Sequence, residues 1–326
     1  MISAKKILLL SILLAYTMSL SAGAQNPAPG KAGPAGAKPA ASPLSEKYLF
    51  FTEPFSYLKP PVKDVMGMSL DLDYTIIKYD YGFVNTADLK PESLVAFKKR
   101  MVIKEPKQLA RITEKTGLTA GAQLTVISAL GNVSTAKIVS FSYVGNSPST
   151  IIVTADLKIE GQSPDPSLFA ANGIALRGKW PLPSQQGLRA GPPLANTDPL
   201  KPKLVTQCSG DIGPRFELQG PQVVPAPLKP GGAISYFVSF WLIPKGNYEI
   251  EDVELKSCFF QSSGQDYWTN TPLPVNLRLL QVYDLDGDGQ AELFGLSGNG
   301  LEVCLAYLAP QDNEYRVVKK GLCAGY

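Results

Sequence analysis

The 326-residue chain contains no histidine. That removes the commonest general base at neutral pH, and with it Ser-His-Asp and Cys-His nucleophilic sites and histidine-based zinc centres. Cysteine is scarce: Cys208, Cys258, Cys304 and Cys323 all lie in the last third of the chain, and none forms a CxxC pair. No GxSxG, GxGxxG or GxxxxGK[ST] segment occurs, so the local signatures of α/β-hydrolases, dinucleotide binders and P-loop enzymes are missing. Neither sign of charge dominates, with 31 Lys+Arg against 28 Asp+Glu. The densest basic cluster is Lys98-Lys99-Arg100, which suits a solvated face, so nucleic-acid binding has no support. Long apolar runs are lacking too. Residues 7–16 form an apolar run interrupted only by Ser11, too short to span a bilayer comfortably.

That short run belongs to an export signal. Lys5 and Lys6 precede it as a positive region, and Ala22-Gly23-Ala24 follows with the small residues a signal peptidase requires. Residues 1–24 therefore read as a cleavable signal peptide, with the mature chain starting at Gln25 and no stable membrane insertion after cleavage. Both lysines fall inside this segment and every acidic residue outside it, so cleavage lowers the formal charge from +3 to +1. The expected location is secreted or periplasmic. In such a compartment four cysteines read as two disulfides. Three pairings are possible; Cys208–Cys258 with Cys304–Cys323 is expected, because the second bridge would clamp a C-terminal hairpin.

The pattern beyond residue 24 predicts a mainly β protein with antiparallel meanders or sandwiches. Residues 25–47 are Ala/Pro/Gly-rich and read as a flexible tether. Residues 48–179 read as an α+β domain. Its helical stretch starts at Pro91, continues through Leu94, Phe97 and Met101, and includes a second short helix with Leu109, Ile112 and a stop at Gly117. Strands at 124–130, 135–144 and 150–160 follow, separated by turn-forming Gly131-Asn132 and Gly145-Asn146-Ser147-Pro148. A Pro-rich linker is expected at 180–203. Residues 204–326 read as a disulfide-bearing all-β domain. In it, 221–232 is expected as a Pro-rich loop and the doubly apolar run 234–243 as a central strand.

One segment carries recognisable chemistry. Residues 284–292 read Asp-Leu-Asp-Gly-Asp-Gly-Gln-Ala-Glu. Carboxylates stand at positions 1, 3, 5 and 9 (Asp284, Asp286, Asp288 and Glu292), and the backbone carbonyl of Gln290 falls at position 7. Hard dications prefer several oxygen ligands together, and Gly287 and Gly289 permit the curl that would converge them. Four carboxylates so close repel one another unless a cation intervenes. An EF-hand is excluded, because its position 12 holds a bidentate Glu and here holds Gly295, and because the flanking patterns are strand-like rather than helical.

The strand–DxDxDGxxE–strand pattern over residues 276–319 resembles the calcium loop of FG-GAP and VCBS-type repeats, found in integrin-like β-propellers. Those families carry the motif in tandem and this chain carries it once, so the resemblance implies one propeller-blade-like sheet at the C-terminus. It also implies a calcium ion that pins a hairpin turn. No acid–base partner accompanies the loop, so catalysis is not expected. The sequence thus predicts a calcium-binding structural or interaction module of the cell envelope or extracellular space, with a protein or glycan partner. The alternative is a calcium-dependent carbohydrate binder or hydrolase, for which Tyr267 and Trp268, in a polar stretch, are the candidate sugar-stacking residues.

Overall fold

The computed structural model describes residues 49–54, 65–73, 100–129, 131–147, 150–160, 172–177, 188–210, 212–246, 248–249, 252–262, 268–312 and 314–325. The expected signal peptide, the tether at 25–47, the helix start at Pro91 and Tyr267 lie outside these residues, as does the side chain of Trp268. The fold is mainly β, and among the described residues there are three sheets, all antiparallel.

The first sheet contains β1 (Leu49–Pro54), β2 (Val65–Asp73), β3 (Arg100–Val102), β4 (Gln123–Ser128), β5 (Val133–Ser147), β6 (Thr150–Ile159) and β7 (Gly173–Arg177). Its order is β3-β5-β4-β7-β1-β2-β6, and β6 also pairs with β5. Six strands therefore close into a barrel, with β3 appended to β5. The 15-residue β5 can serve two neighbours because residues 133–137 pair with β4 and 136–147 with β6. Register shifts at Ile138/Ser140 and Gly145/Ser147 interrupt the second pairing, as bulges do where a strand bends.

Strand alternation sorts the side chains. Phe50, Val126 and Ala175 join Met66, Met68, Ile138 and Leu157 in one buried cluster, while their chain neighbours Leu49, Phe51, Ile127, Ile174 and Leu176 belong to another. Helix α1 (Pro106–Thr116) completes the first cluster through Ile112. As its sequence predicts, α1 holds Leu109 and Ile112 and stops at Gly117, whose φ of 67° suits a residue without a Cβ. The helical expectation for Met101 is corrected: Met101 lies in β3, paired with Tyr143 on the strand edge of β5. A strand edge offering backbone partners overrides the weak helical spacing of a short segment.

The second sheet is formed by β8 (Phe216–Pro227), β9 (Ile234–Pro244), β10 (Glu254–Ser262) and β11 (Trp268–Thr271), in the order β11-β10-β9-β8. Helix α2 (Leu200–Ser209) precedes it. The expected loop at 221–232 is corrected, because β8 runs through Pro221, Pro225 and Pro227. Proline is tolerated there because β8 is an edge strand. The ladder shifts register between Gln219 and Gln222, and residues 191–194 cover part of the edge through Gly191 N–H to Pro225 O (2.7 Å) and Leu194 N–H to Val223 O (2.8 Å). Helix α2 was not legible in the sequence, since Pro199 at its N-cap and Pro202 in its first turn resemble linker residues. Proline at a helix start loses little, because those N–H groups have no partner within the helix.

The third sheet is a sequential meander of β12 (Arg278–Tyr283), β13 (Glu292–Gly298), β14 (Glu302–Gln311) and β15 (Glu314–Gly325). One of its faces packs Tyr283, Phe294, Leu296, Leu305 and Tyr307 onto the outward barrel residues Leu49, Phe51, Ile127, Ile174 and Leu176. The other packs Leu279, Val282, Leu293, Ala306 and Leu308 onto Val224, Ala226, Phe237 and Phe259 of the second sheet. The far face of the second sheet carries α2, through Leu204, Cys208, Val238, Phe240, Cys258 and Phe260. The expected boundary at 180–203 does separate barrel strands from later strands along the chain. It does not separate their cores, and Leu44–Tyr326 forms one compact unit.

Both disulfides join the pairs expected from sequence: Cys208–Cys258 ties α2 to β10, and Cys304–Cys323 ties β14 to β15. Among the described residues no helix is long and apolar enough to cross a membrane.

Candidate metal centre

The acidic loop joins β12 to β13 in the middle sheet, so it hangs from two strands buried on both faces. Tyr283 fixes the entry: it is buried, and its hydroxyl donates to Ser128 O of the barrel (2.8 Å). Leu285 is fully buried and anchors the loop from within. Gly287 and Gly289 have φ of 76° and 83°, the left-handed conformations that favour glycine and that the curl requires. Ala291 fixes the exit, donating its N–H to Leu228 O (2.9 Å) and accepting the Tyr315 hydroxyl on its carbonyl (2.9 Å).

This scaffold brings one carboxylate oxygen each from Asp284, Asp286 and Asp288 within 4.8 Å of one another. Backbone N–H groups hold the carboxylates: Gly289 donates to Asp284 Oδ2 (3.2 Å), Asp288 to Asp286 Oδ1 (3.0 Å) and Gln290 to Asp288 Oδ1 (2.6 Å). Asp284 is only 8 % exposed, and its Oδ1 is buried without a hydrogen-bond partner. A buried carboxylate oxygen left without a donor is costly, and a cation would relieve it. The donor set is all oxygen, which suits a hard dication such as calcium. The residues present therefore fit a metal ion.

Two further sequence candidates complete the loop. Gln290, expected to contribute its backbone carbonyl, donates its side-chain amide to Asp288 Oδ2 (3.1 Å). Glu292 lies outside the three-carboxylate cluster; it is 1 % exposed and accepts the Leu285 N–H on Oε2 (2.8 Å). Its carboxyl is therefore an internal clasp between the first turn of the loop and the start of β13. The clasp spans seven residues within the loop itself, whereas the ties from Ala291 reach Leu228 in the β8–β9 turn and Tyr315 in β15, partners that no local signal reveals.

Burial holds the Glu292 carboxyl well above the usual carboxylate range; the Leu285 N–H opposes this, and the charges of Asp286, Asp284 and Asp288 reinforce it. Tyr307 and Tyr315 are likewise pushed up, first by burial and then by the charge of Glu292. A consequence follows for the metal-free protein. Above the ordinary value of 4.5 the folded state holds a proton at Glu292 that the unfolded state has released, so this group lowers stability as pH rises. Glu292→Gln keeps a carbonyl for the Leu285 N–H and removes the titration. In chelator, the melting temperature of the variant relative to the unsubstituted protein should rise as pH is raised through the range above about 5. Thermal melts across that range check this; a constant difference would contradict it.

No family model, curated protein or solved structure matches the chain. Fold and site define a disulfide-bonded, mainly antiparallel β protein with a carboxylate loop between two buried strands.

Proposed function

We propose that this is an exported calcium-binding protein in which one ion, held by Asp284, Asp286 and Asp288, pins the β12–β13 turn. We further propose that the protein serves as a structural or interaction module of the cell envelope or extracellular space. The observation that carries the metal is the buried, unpartnered Oδ1 of Asp284 beside two more carboxylates. Glu292 supports the turn from within, its Oε2 accepting the Leu285 N–H (2.8 Å). Export is supported by the lysines, apolar run and small residues of the first 24 positions, and by two disulfides, which persist in oxidising compartments. A non-enzymatic role is supported by a chain without histidine, the commonest general base.

Native mass spectrometry of protein expressed with its first 24 residues tests this reading. The expected species starts at Gln25 and carries one calcium ion, lost in Asp284→Ala. A retained N-terminus would contradict export, and calcium-independent mass would contradict the metal.

A further inference from the structure

A cleft of about 360 Å³ lies beside the carboxylate loop, between the β8–β9 turn, the end of β10 and the β14–β15 hairpin. We infer that it is a binding site for an uncharged saccharide unit, and that the metal in the neighbouring loop sets its shape; the second half of this inference rests on the metal reading above.

The ligand class follows from the lining. Lys229 and Glu314 contribute one charge of each sign, so neither an anion nor a cation finds an unopposed partner. Gln261 and Gln290 bring amide groups that both donate and accept, and Ser235 brings a hydroxyl at a position only 5 % exposed. Such groups match the alternating donors and acceptors of sugar hydroxyls. Tyr315, partly exposed, adds an aromatic ring, the usual platform for the apolar face of a sugar. The volume falls at the lower end of small-molecule sites, roughly 300–1,000 Å³, which suits a terminal saccharide unit rather than a long chain.

The dependence on metal follows from three hydrogen bonds. Gln290, in the lining, donates its side-chain amide to the proposed ligand Asp288 (3.1 Å). Ala291 then ties the loop to two walls of the cleft at once, to Leu228 O through its N–H (2.9 Å) and to the Tyr315 hydroxyl through its carbonyl (2.9 Å). Mutual repulsion of three aspartates in the metal-free loop acts on the same short segment. Ordering that segment with a cation therefore orders the cleft before the sugar arrives, which is positive coupling between two ligands.

The test uses saturation-transfer NMR with maltose, cellobiose, lactose and N,N′-diacetylchitobiose as probes and sialyllactose as a charged control, in calcium and in chelator. A calcium-dependent thermal shift is recorded in parallel. At least one neutral disaccharide should bind the calcium-loaded protein, and chelation should weaken it about fivefold or more. Gln261→Ala, an exposed position, should weaken it to a similar degree while leaving the calcium-dependent thermal shift intact. No binding by any neutral probe, or binding by sialyllactose alone, would overturn the cleft inference while an intact thermal shift left the metal reading standing. Equal sugar binding with and without calcium would overturn the coupling, and absence of the thermal shift would overturn the metal reading itself.

Discussion

Saturating calcium is expected to raise the melting temperature of chelated protein by about 5–10 °C. A ligand at a hundredfold excess over its Kd stabilises by about 2.7 kcal/mol, and each kcal/mol moves the midpoint of a domain this large by about 2–4 °C. The shift should vanish in Asp284→Ala and in Asp286→Ala. Asp284→Asn separates the two contributions. It keeps the size of the side chain but removes a charge from a carboxylate set within 4.8 Å, so the metal-free variant should melt at or above the chelated unsubstituted protein, yet gain nothing from calcium. An acidic turn without a metal role makes the opposite pair of expectations: no response to calcium, and no calcium-dependent difference between the variants.

Loss of the Cys208–Cys258 bridge is the second large expected effect. The bridge closes a loop with a sequence separation of 50. Chain-entropy reasoning assigns such a loop about 4 kcal/mol, against about 3 kcal/mol for the Cys304–Cys323 bridge, whose separation is 19. The structure widens the gap. Cys304 and Cys323 lie on β14 and β15, already held together by a long ladder, whereas α2 is held to the second sheet by a side-chain cluster that includes both Cys208 and Cys258 and by a hydrogen bond from Lys256 Nζ to Ser209 O (3.3 Å). Cys208→Ala with Cys258→Ala should therefore lower the melting temperature by about 8–15 °C, and Cys304→Ala with Cys323→Ala by less. Thermal melts of the two double variants, in excess calcium so that the loop stays filled, decide the order. A larger loss for the second pair would contradict the placement of α2 as the less secured element.

What was legible in the sequence was local. The alternating strands from β4 to β6 and from β12 to β15, the stop of α1 at Gly117, and the positive φ of Gly287 and Gly289 all follow from residues within a few positions of one another. The cysteine pairing was legible only in part: four cysteines leave three pairings, and the expected one rested on the idea that Cys304–Cys323 clamps a hairpin. Barrel closure was not, since it depends on β6 meeting both β2 and β5, a long-range register that period-two patterning leaves undetermined. Pro221, Pro225 and Pro227 read as a loop because their tolerance depends on β8 being an edge strand, a property of the sheet and not of the segment. Inside the candidate site, the place of Glu292 in the motif marks it as an oxygen donor, but its burial and its hydrogen bond from Leu285 N–H depend on the packing of the middle sheet and were not legible.

The central claim, that the aspartates of the β12–β13 loop hold a cation, is tested most directly by calorimetric titration of calcium into chelated protein. One binding event per chain is the expected result, absent in Asp284→Asn. Heat indistinguishable from buffer in the unsubstituted protein, or an unchanged binding event in Asp284→Asn, would contradict it.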